Sequence, residues 1–340
     1  MNLHEVDRRK FLKIAATLTA MAYLPSCLNA ERKDRWGYVL PTRKLGKTGL
    51  DVTMFCIGGG AFNLNIPNTD SILKAAIEGG CRFFETARSY GRGKSEEAFG
   101  NFLEPYRNEI ILSTKTHALD PETLRSDLSK SLETLKTSYL DIYLMHAIES
   151  VDDFKKRMDG GVFDAMLKAK EEGKVRHLGF SGHSDYTVNN YVLDLNLPDI
   201  EVMLVPVNVV DNVYNSFTIN TLPKAIEKGV GVMAMKPIGG GGMTGSDITW
   251  GKDKGSKRDR VIPDVISMKE AQHFNYSMPI STATFGCTTA EQVVENISLA
   301  RSFTKMTKSE QSKLIERVTE VAKNNTLEHY KSNGISVFKS

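Results

Sequence analysis

From residue 40 onward the chain alternates short apolar runs with segments in which apolar residues recur at helical spacing. The apolar runs end near Ile57, Phe84, Ser113, Met145, Ser181, Pro206, Met235 and Phe285. Most steps are about thirty residues, the size of one strand–helix unit. Between them, Asn68-Thr69-Asp70 can cap a helix over 71–78, and Ser95-Glu96-Glu97 opens one that reaches Leu103. Asp120-Pro121-Glu122 starts a long helix to Leu135, with Pro121 in the first turn, where its missing N–H has no partner to lose. Helical segments over 162–172, 184–195 and 222–228 follow. Thr288-Thr289-Ala290-Glu291 reads as a capping box opening a helix to about Arg301, and the tail from Thr307 as one amphipathic helix. Eight such alternations predict an α/β fold, a (β/α)8 TIM barrel over residues 40–325. Ahead of it, the stretch from Leu45 to Val52 with its glycine turn predicts a β-hairpin that caps the N-terminal end of the barrel.

An open nucleotide-binding sheet would carry an early G-x-G-x-x-G, and Gly58-Gly59-Gly60 lacks that spacing. Gly93-Lys94-Ser95 ends like a phosphate-binding loop, but Arg88 stands where its first glycine belongs. The 340 residues carry a net charge of +3, with 41% hydrophobic and 25% charged residues. No basic stripe interleaved with aromatics appears, which excludes a nucleic-acid-binding reading. Asp7-Arg8-Arg9-Lys10-Phe11-Leu12-Lys13 precedes an apolar stretch from Ile14 to Leu24, too short to span a bilayer. Residues 1–30 thus resemble a twin-arginine export signal, and Leu24-Pro25-Ser26-Cys27 resembles a lipoprotein box with Cys27 as the lipidated residue. The expectation is an exported protein, periplasmic or held on the membrane through Cys27, with the Tat export machinery as a partner. Plain cleavage after Ala30 is the alternative. Cys56, Cys81 and Cys287 lie in apolar runs and read as buried free thiols; no CxxC or other metal-ligand spacing occurs, and no metal is expected.

Basin, wall or chemistry is decided at three positions that follow successive apolar runs: Tyr90, Lys115 and His146. Singly, Tyr90 is a loop tyrosine and His146 a satisfied core histidine. Lys115 is odder, since a lysine ending an apolar strand needs a partner. Together they form a proton-transfer set. A ketone accepts hydride poorly until its oxygen receives a proton or a hydrogen bond. A free phenol, with a pKa of about 10, is a sluggish acid near neutrality, and an adjacent ammonium favours its ionised form. Tyr90 is therefore the candidate proton donor and Lys115 its tuner. Glu85, at the end of the preceding strand, is the carboxylate that holds the lysine, and His146 orients the carbonyl. His117, His177 and His183 show no partner pattern and read as structural or peripheral. A barrel hydrolase would need paired carboxylates or metal ligands at strand ends, and neither set is present.

The segment Phe83-Phe84-Glu85-Thr86-Ala87-Arg88-Ser89-Tyr90-Gly91, continued by Ser95-Glu96-Glu97, resembles the FFDTAxxYG…SEE pattern of the aldo-keto reductases. Ser113-Thr114-Lys115, the run Asp141 to His146, Gly173 to Ser181 and Glu291 to Asn296 follow in the family's order, so the likeness spans about residues 42–305. The resemblance implies hydride exchange between a nicotinamide cofactor and a small carbonyl or alcohol, with Tyr90 as general acid/base. It assigns Gly59, Ser181, Lys236, Pro237, Ile238, Gly239, Gly240, Gly286, Thr288, Gln292, Glu295 and Asn296 to the cofactor, NADP with NAD as the alternative. Four departures stand out. The family has aspartate at Glu85, Gly182-His183 replaces an asparagine after Ser181, a glutamine common in the sixth strand is replaced around Pro206, and Gln292 occupies an arginine position tied to NADP preference. The long glycine-rich and basic stretch 239–262 reads as a solvated loop or as a lid flanking a phosphorylated cofactor. The competing reading is a non-catalytic nucleotide-binding sensor or scaffold with the same barrel.

Overall fold

The computed structural model describes residues 32–64, 68–244, 262, 265–323 and 327–331. The export segment 1–30, with Cys27, and the basic residues of the long loop, Lys252, Lys254, Lys257, Arg258 and Arg260, lie outside the described residues. The barrel strands are β1 (Phe55–Gly58), β2 (Phe83–Glu85), β3 (Ile111–Thr116), β4 (Leu140–Met145), β5 (Val175–Ser181), β6 (Ile200–Pro206), β7 (Gly231–Met235) and β8 (Thr282–Phe285). Each pairs in parallel with its neighbours in chain order, and β8 pairs with β1 to close the barrel. The helices are α1 (Thr69–Glu78), α2 (Lys94–Leu103), α3 (Pro121–Thr134), α4 (Val151–Asp159), α5 (Val162–Glu171), α6 (Tyr186–Asp194), α7 (Phe217–Asn220), α8 (Leu222–Glu227), α9 (Met268–Ser277), α10 (Ala290–Arg301) and α11 (Lys308–Ala322). The predicted (β/α)8 barrel is thus observed.

Strand alternation builds two apolar layers. Cys56, Phe83, Ile142, Leu144, Val202, Leu204 and Met233 form the cluster inside the barrel, and Phe84, Leu112, Tyr143, Met145 and Phe180 join the larger cluster beneath the helices. A strand buried on both faces can hold this many apolar residues without alternating polar ones. The antiparallel hairpin Thr42–Lys44/Asp51–Thr53 sends Leu45 and Val52 into the inner cluster. At its turn a Cβ on Gly46 would lie 2.3 Å from the Gly231 nitrogen, at the start of β7. Only glycine permits that approach, and φ is +52° there as well. The hairpin therefore caps the N-terminal end, as its sequence predicts.

Several local expectations change. Lys115 lies inside β3 rather than after it, because pairing with β4 continues to Thr116 and Met145. The α10 capping box does not form: Thr289 caps Gln292 N–H, while the Gln292 side chain reaches back to Thr288 N–H at 2.9 Å. Capping boxes form instead at Ser267/Glu270 and Thr307/Glu310. The helices α4, α7 and α9 have no counterpart in the sequence reading. The first is strongly polar, the second spans a single turn, and α9 follows the long loop that obscured the spacing.

Phe83 is fully buried in the inner layer. Phe83→Ala is expected to cost about 3–5 kcal/mol, the usual range for a buried aromatic deletion. Denaturant unfolding checks this; a loss below about 1 kcal/mol would mean the barrel interior is not packed around this ring.

Candidate active site

The inner face of the barrel carries the candidate site as its topmost layer. Side chains two residues apart on a strand share a face. Phe83 and then Glu85 climb the inside of β2, while Ser113 and then Lys115 do so on β3. On β4, Ile142 and Leu144 are followed by His146 just past the strand end. The change from apolar to ionisable side chains marks the C-terminal end, where barrel enzymes keep their active sites.

Glu85 and Lys115 are almost wholly buried, at 3% and 1% exposure. Their carboxylate and ammonium are in direct ion-pair contact, and the ammonium also donates to Thr86 O at 2.8 Å. The lysine nitrogen lies 4.6 Å from the centre of the Tyr90 ring. The Tyr90 ring meets His146 edge-on at 5.5 Å, and Ser89 Oγ is 3.4 Å from His146 Nδ1. The structure therefore brings all four predicted side chains into one cluster. The longer Glu85 side chain still reaches the lysine.

Loop hydrogen bonds extend the barrel ladder and fix where Tyr90 begins. Thr86 N–H donates to Ser113 O at 2.8 Å, and Arg88 N–H to Lys115 O at 3.1 Å. Arg88 then pairs with fully buried Glu96 at 2.5 Å. Thr114 and Ser131 hydroxyls donate to the same carboxylate at 2.7 and 2.8 Å. Thr86 and Ser95 hydroxyls meet at 2.7 Å, and Ser95 donates to Gly59 O at 2.9 Å. His146 is held from behind. Arg157 on α4 donates to its carbonyl at 3.1 Å while gripping Asp153 with two 3.0 Å bonds. The next residue, Ala147, has φ +49°, a conformation rare outside glycine and found where surrounding structure imposes strain. Its N–H donates to Ser181 Oγ at 2.8 Å.

Two expectations are corrected. Burial pushes the Tyr90 phenol up from its ordinary value, rather than Lys115 acidifying it. The reason is geometric: the ammonium faces the ring and is already engaged by Glu85 and Thr86. Burial also drives Lys115 well below the usual lysine range, and nearby Lys236 adds to this; contact with Glu85 opposes that loss of charge. The second correction is His117, which is not peripheral: its ring stacks on His146 at 4.1 Å. The signal was available, since His117 lies two residues beyond Lys115. Burial, followed by Lys115, His117, His183 and Arg157, pushes His146 well below its ordinary value. Burial, Arg157 and Lys115 lower His117 to about 4. His183 faces the Tyr330 ring at 6.3 Å, and His177 pairs with Glu201 at 3.2 Å.

Most of the predicted cofactor residues follow the ends of β7 and β8, while Ser181 ends β5 and Gly59 follows β1. Lys236, with φ +55°, is lowered to about 8 by burial. Gly239, Gly240 and Gly241 all have positive φ, from +63° to +99°, a path closed to most side chains. Pro237 O accepts from Asn275 Nδ2 at 2.9 Å, and Ile238 packs on the main core. Gly286 is exposed before α10, with Thr288 and Glu295 half-buried near it. Among the described residues, buried Gln292 Nε2 and Asn296 Oδ1 have no hydrogen-bond partner. Unpaired buried polar atoms in the first and second turns of a helix, at the strand end next to a glycine path and a lysine, fit the phosphates and ribose of a dinucleotide. Gly59 has a packing reason instead: a Cβ there would meet Ser95 Oγ at 2.3 Å.

The His146 shift fixes a pH dependence. The unfolded chain takes up a proton near pH 6.5 while the folded ring resists, so this stability is present above 6.5 and is lost as pH falls. Between pH 6.5 and 5 the wild type should lose more stability than His146→Phe, by no more than about 1.4 kcal/mol per pH unit. Equal losses in the two proteins would contradict the neutral imidazole.

A family model described as the aldo/keto reductase family matches residues 55–332. Among curated proteins, the chain is 24% identical over 290 residues to the uncharacterized oxidoreductase YqkF of Bacillus subtilis, covering 76% of this chain and 91% of that protein. It is 31% identical over 221 residues to the L-galactose dehydrogenase of Arabidopsis thaliana, covering 59% and 66%. Among solved structures, the aldo-keto reductase AKR11C1 from Bacillus halodurans superposes with a TM-score of 0.67 at 21% identity, over 82% of this chain and 96% of that one.

Proposed function

The chain belongs to the aldo/keto reductase family, an oxidoreductase family that generally works on small carbonyl or alcohol substrates with NAD(P), and from that premise we propose that it reduces a small carbonyl compound with Tyr90 as the proton donor. The observation behind this reading is the single cluster in which buried Glu85 and Lys115 meet half-buried Tyr90 and His146. When bound, a nicotinamide cofactor supplies the hydride. Lys236, the Gly239–Gly241 path, Thr288, Gln292 and Asn296 are the residues suited to hold it. The chain's own part is proton transfer and orientation. His146, neutral and with Nε2 making no hydrogen bond to another described side chain, presents a ring nitrogen to the carbonyl oxygen. The Tyr90 hydroxyl gives that oxygen its proton, and with the hydride that a bound nicotinamide would supply to the carbon, the carbonyl becomes an alcohol. The phenolate left behind faces the Lys115 ammonium, whose charge Glu85 sustains.

Reduction is the proposed direction, with Tyr90 in its protonated form as the donor. Tyr90 stays protonated through the physiological range, as a donor must, whereas alcohol oxidation would need it as the base. NADP is the proposed cofactor and NAD the alternative, because Gln292 lacks the charge that would select a 2′-phosphate. We further propose export through the twin-arginine signal, with Cys27 as a lipid anchor; the ordered Arg8-Arg9, Phe11-Leu12-Lys13 and apolar run support this.

Tyr90→Phe should lower kcat for a carbonyl panel by about 10²–10⁴-fold, the range for loss of a general acid, while nucleotide binding persists. Steady-state rates with NADPH and NADH, alongside nucleotide fluorescence titration, read both. A variant as active as wild type would remove Tyr90 from the mechanism. Bound nucleotide with no turnover of any carbonyl would instead favour the sensor or scaffold reading. Replacing Arg8 and Arg9 by lysine should leave the full-length chain in the cytoplasmic fraction; unchanged fractionation would refute twin-arginine export.

A further inference from the structure

The segment 327–331 returns to the C-terminal end of the barrel after α11 and settles against the loops that follow β5, β6 and β7. Lys331 is 1% exposed, yet its ammonium sits in the protein interior. It pairs with Asp211 at 2.5 Å and Glu328 at 2.7 Å, and donates to Tyr214 O at 2.9 Å. Asp211 is itself anchored, accepting from the Phe217 and Thr218 N–H groups at 3.1 and 2.7 Å and from Ser216 Oγ at 3.0 Å. Glu328 also takes the Tyr330 hydroxyl.

This segment grips the glycine path directly. Asn208 Nδ2 lies 2.9 Å from Glu328 Oε1, 3.2 Å from the Tyr330 hydroxyl and 3.2 Å from Lys236 O. The Lys236 ammonium stands 5.2 Å from the centre of the Tyr330 ring. Leu327 O comes so close to Gly239 that a Cβ there would be 2.7 Å away. Among the described residues, 327–331 join no strand ladder, and their one backbone bond outside regular structure is the internal Lys331 N–H to Glu328 O. The side chains of Glu328, Tyr330 and Lys331 tie the segment to its surroundings, and one lysine holds both carboxylates.

Resting on the nucleotide-site reading above, we propose that residues 327–331 are a gate on that site. Lys331, Glu328 and Asp211 are its latch, and Tyr330 is the positioning residue that presses on Lys236. Nucleotide enters and leaves only when the lysine withdraws from its two carboxylates. A gate differs from a binding contact in kinetics: opening it more often speeds entry and exit alike.

Stopped-flow fluorescence with NADPH and NADH on the full chain tests this. Lys331→Met should accelerate association and dissociation both by about tenfold or more, with Kd changing less than about threefold. Should Lys331→Met fail to fold, Tyr330→Leu keeps the ion cluster and should shift both rates the same way. In the wild type, amides of 327–331 should exchange more slowly with nucleotide bound. Unchanged rates in the variants, a change in dissociation alone, or exchange indifferent to nucleotide would overturn the gate while leaving the site reading intact. A wild type that binds neither nucleotide would overturn the site reading, and the gate with it.

Discussion

A lysine ammonium at the top of a barrel core needs a counter-charge, and the contact between Lys115 and Glu85 is the constraint on which the site depends. Stripping either charge of its partner at this depth costs on the order of 3–5 kcal/mol. That cost ties β2 to β3 at the layer where the interior turns from apolar to ionisable. Leucine and phenylalanine at the two positions would pack at least as well, so the pair is weak evidence for stability. What it provides is a fixed cation under the Tyr90 ring, on rigid strands rather than on a loop. Thr86 O takes a further N–H of the ammonium, so the loop leading to Tyr90 is oriented by the same charge.

The same device recurs around the rim. Arg88 and Glu96 tie the Tyr90 loop to α2. Arg157 and Asp153 hold the His146 carbonyl from α4. Lys331, Asp211 and Glu328 bind the tail to the loops after β6. In each case a polar segment that could not be secured by apolar burial is secured by a charge pair screened from water. Strain collects in the same places: the positive φ of Ala147 and Lys236 lies beside His146 and the glycine path.

The barrel was legible because its strands are buried on both faces, so each registers as an apolar run, and because caps such as Asp120 before Pro121 announce helix starts. The cluster of Glu85, Tyr90, Lys115 and His146 that makes up the candidate site was legible because ionisable residues in or next to such runs violate the pattern. His117 was passed over although it continues the alternation of Lys115, since one histidine at a loop start violates nothing. The tail was illegible for a different reason. Glu328, Tyr330 and Lys331 sit in a polar stretch indistinguishable from a solvated end, and only long-range contacts with Asp211 and Asn208 bury them. The expected acidification of Tyr90 failed likewise on geometry, because residue order cannot say whether an ammonium meets a hydroxyl or a ring face.

That ring-face placement has a chemical consequence. An ammonium touching the hydroxyl would stabilise the phenolate in the resting state and leave Tyr90 without its proton. An ammonium across the ring, already bonded to a carboxylate and a carbonyl, leaves the resting phenol neutral. In the proposed reaction its charge would be felt more strongly once negative charge develops on the tyrosine oxygen. Interactions that strengthen only as the reaction proceeds are the ones that lower its barrier. Depressed imidazoles serve the same end. Burial, Lys115 and Arg157 keep His146 and His117 neutral, so in the proposed reaction the mouth would offer hydrogen bonds to a carbonyl oxygen without a competing acid that could protonate it in the wrong place.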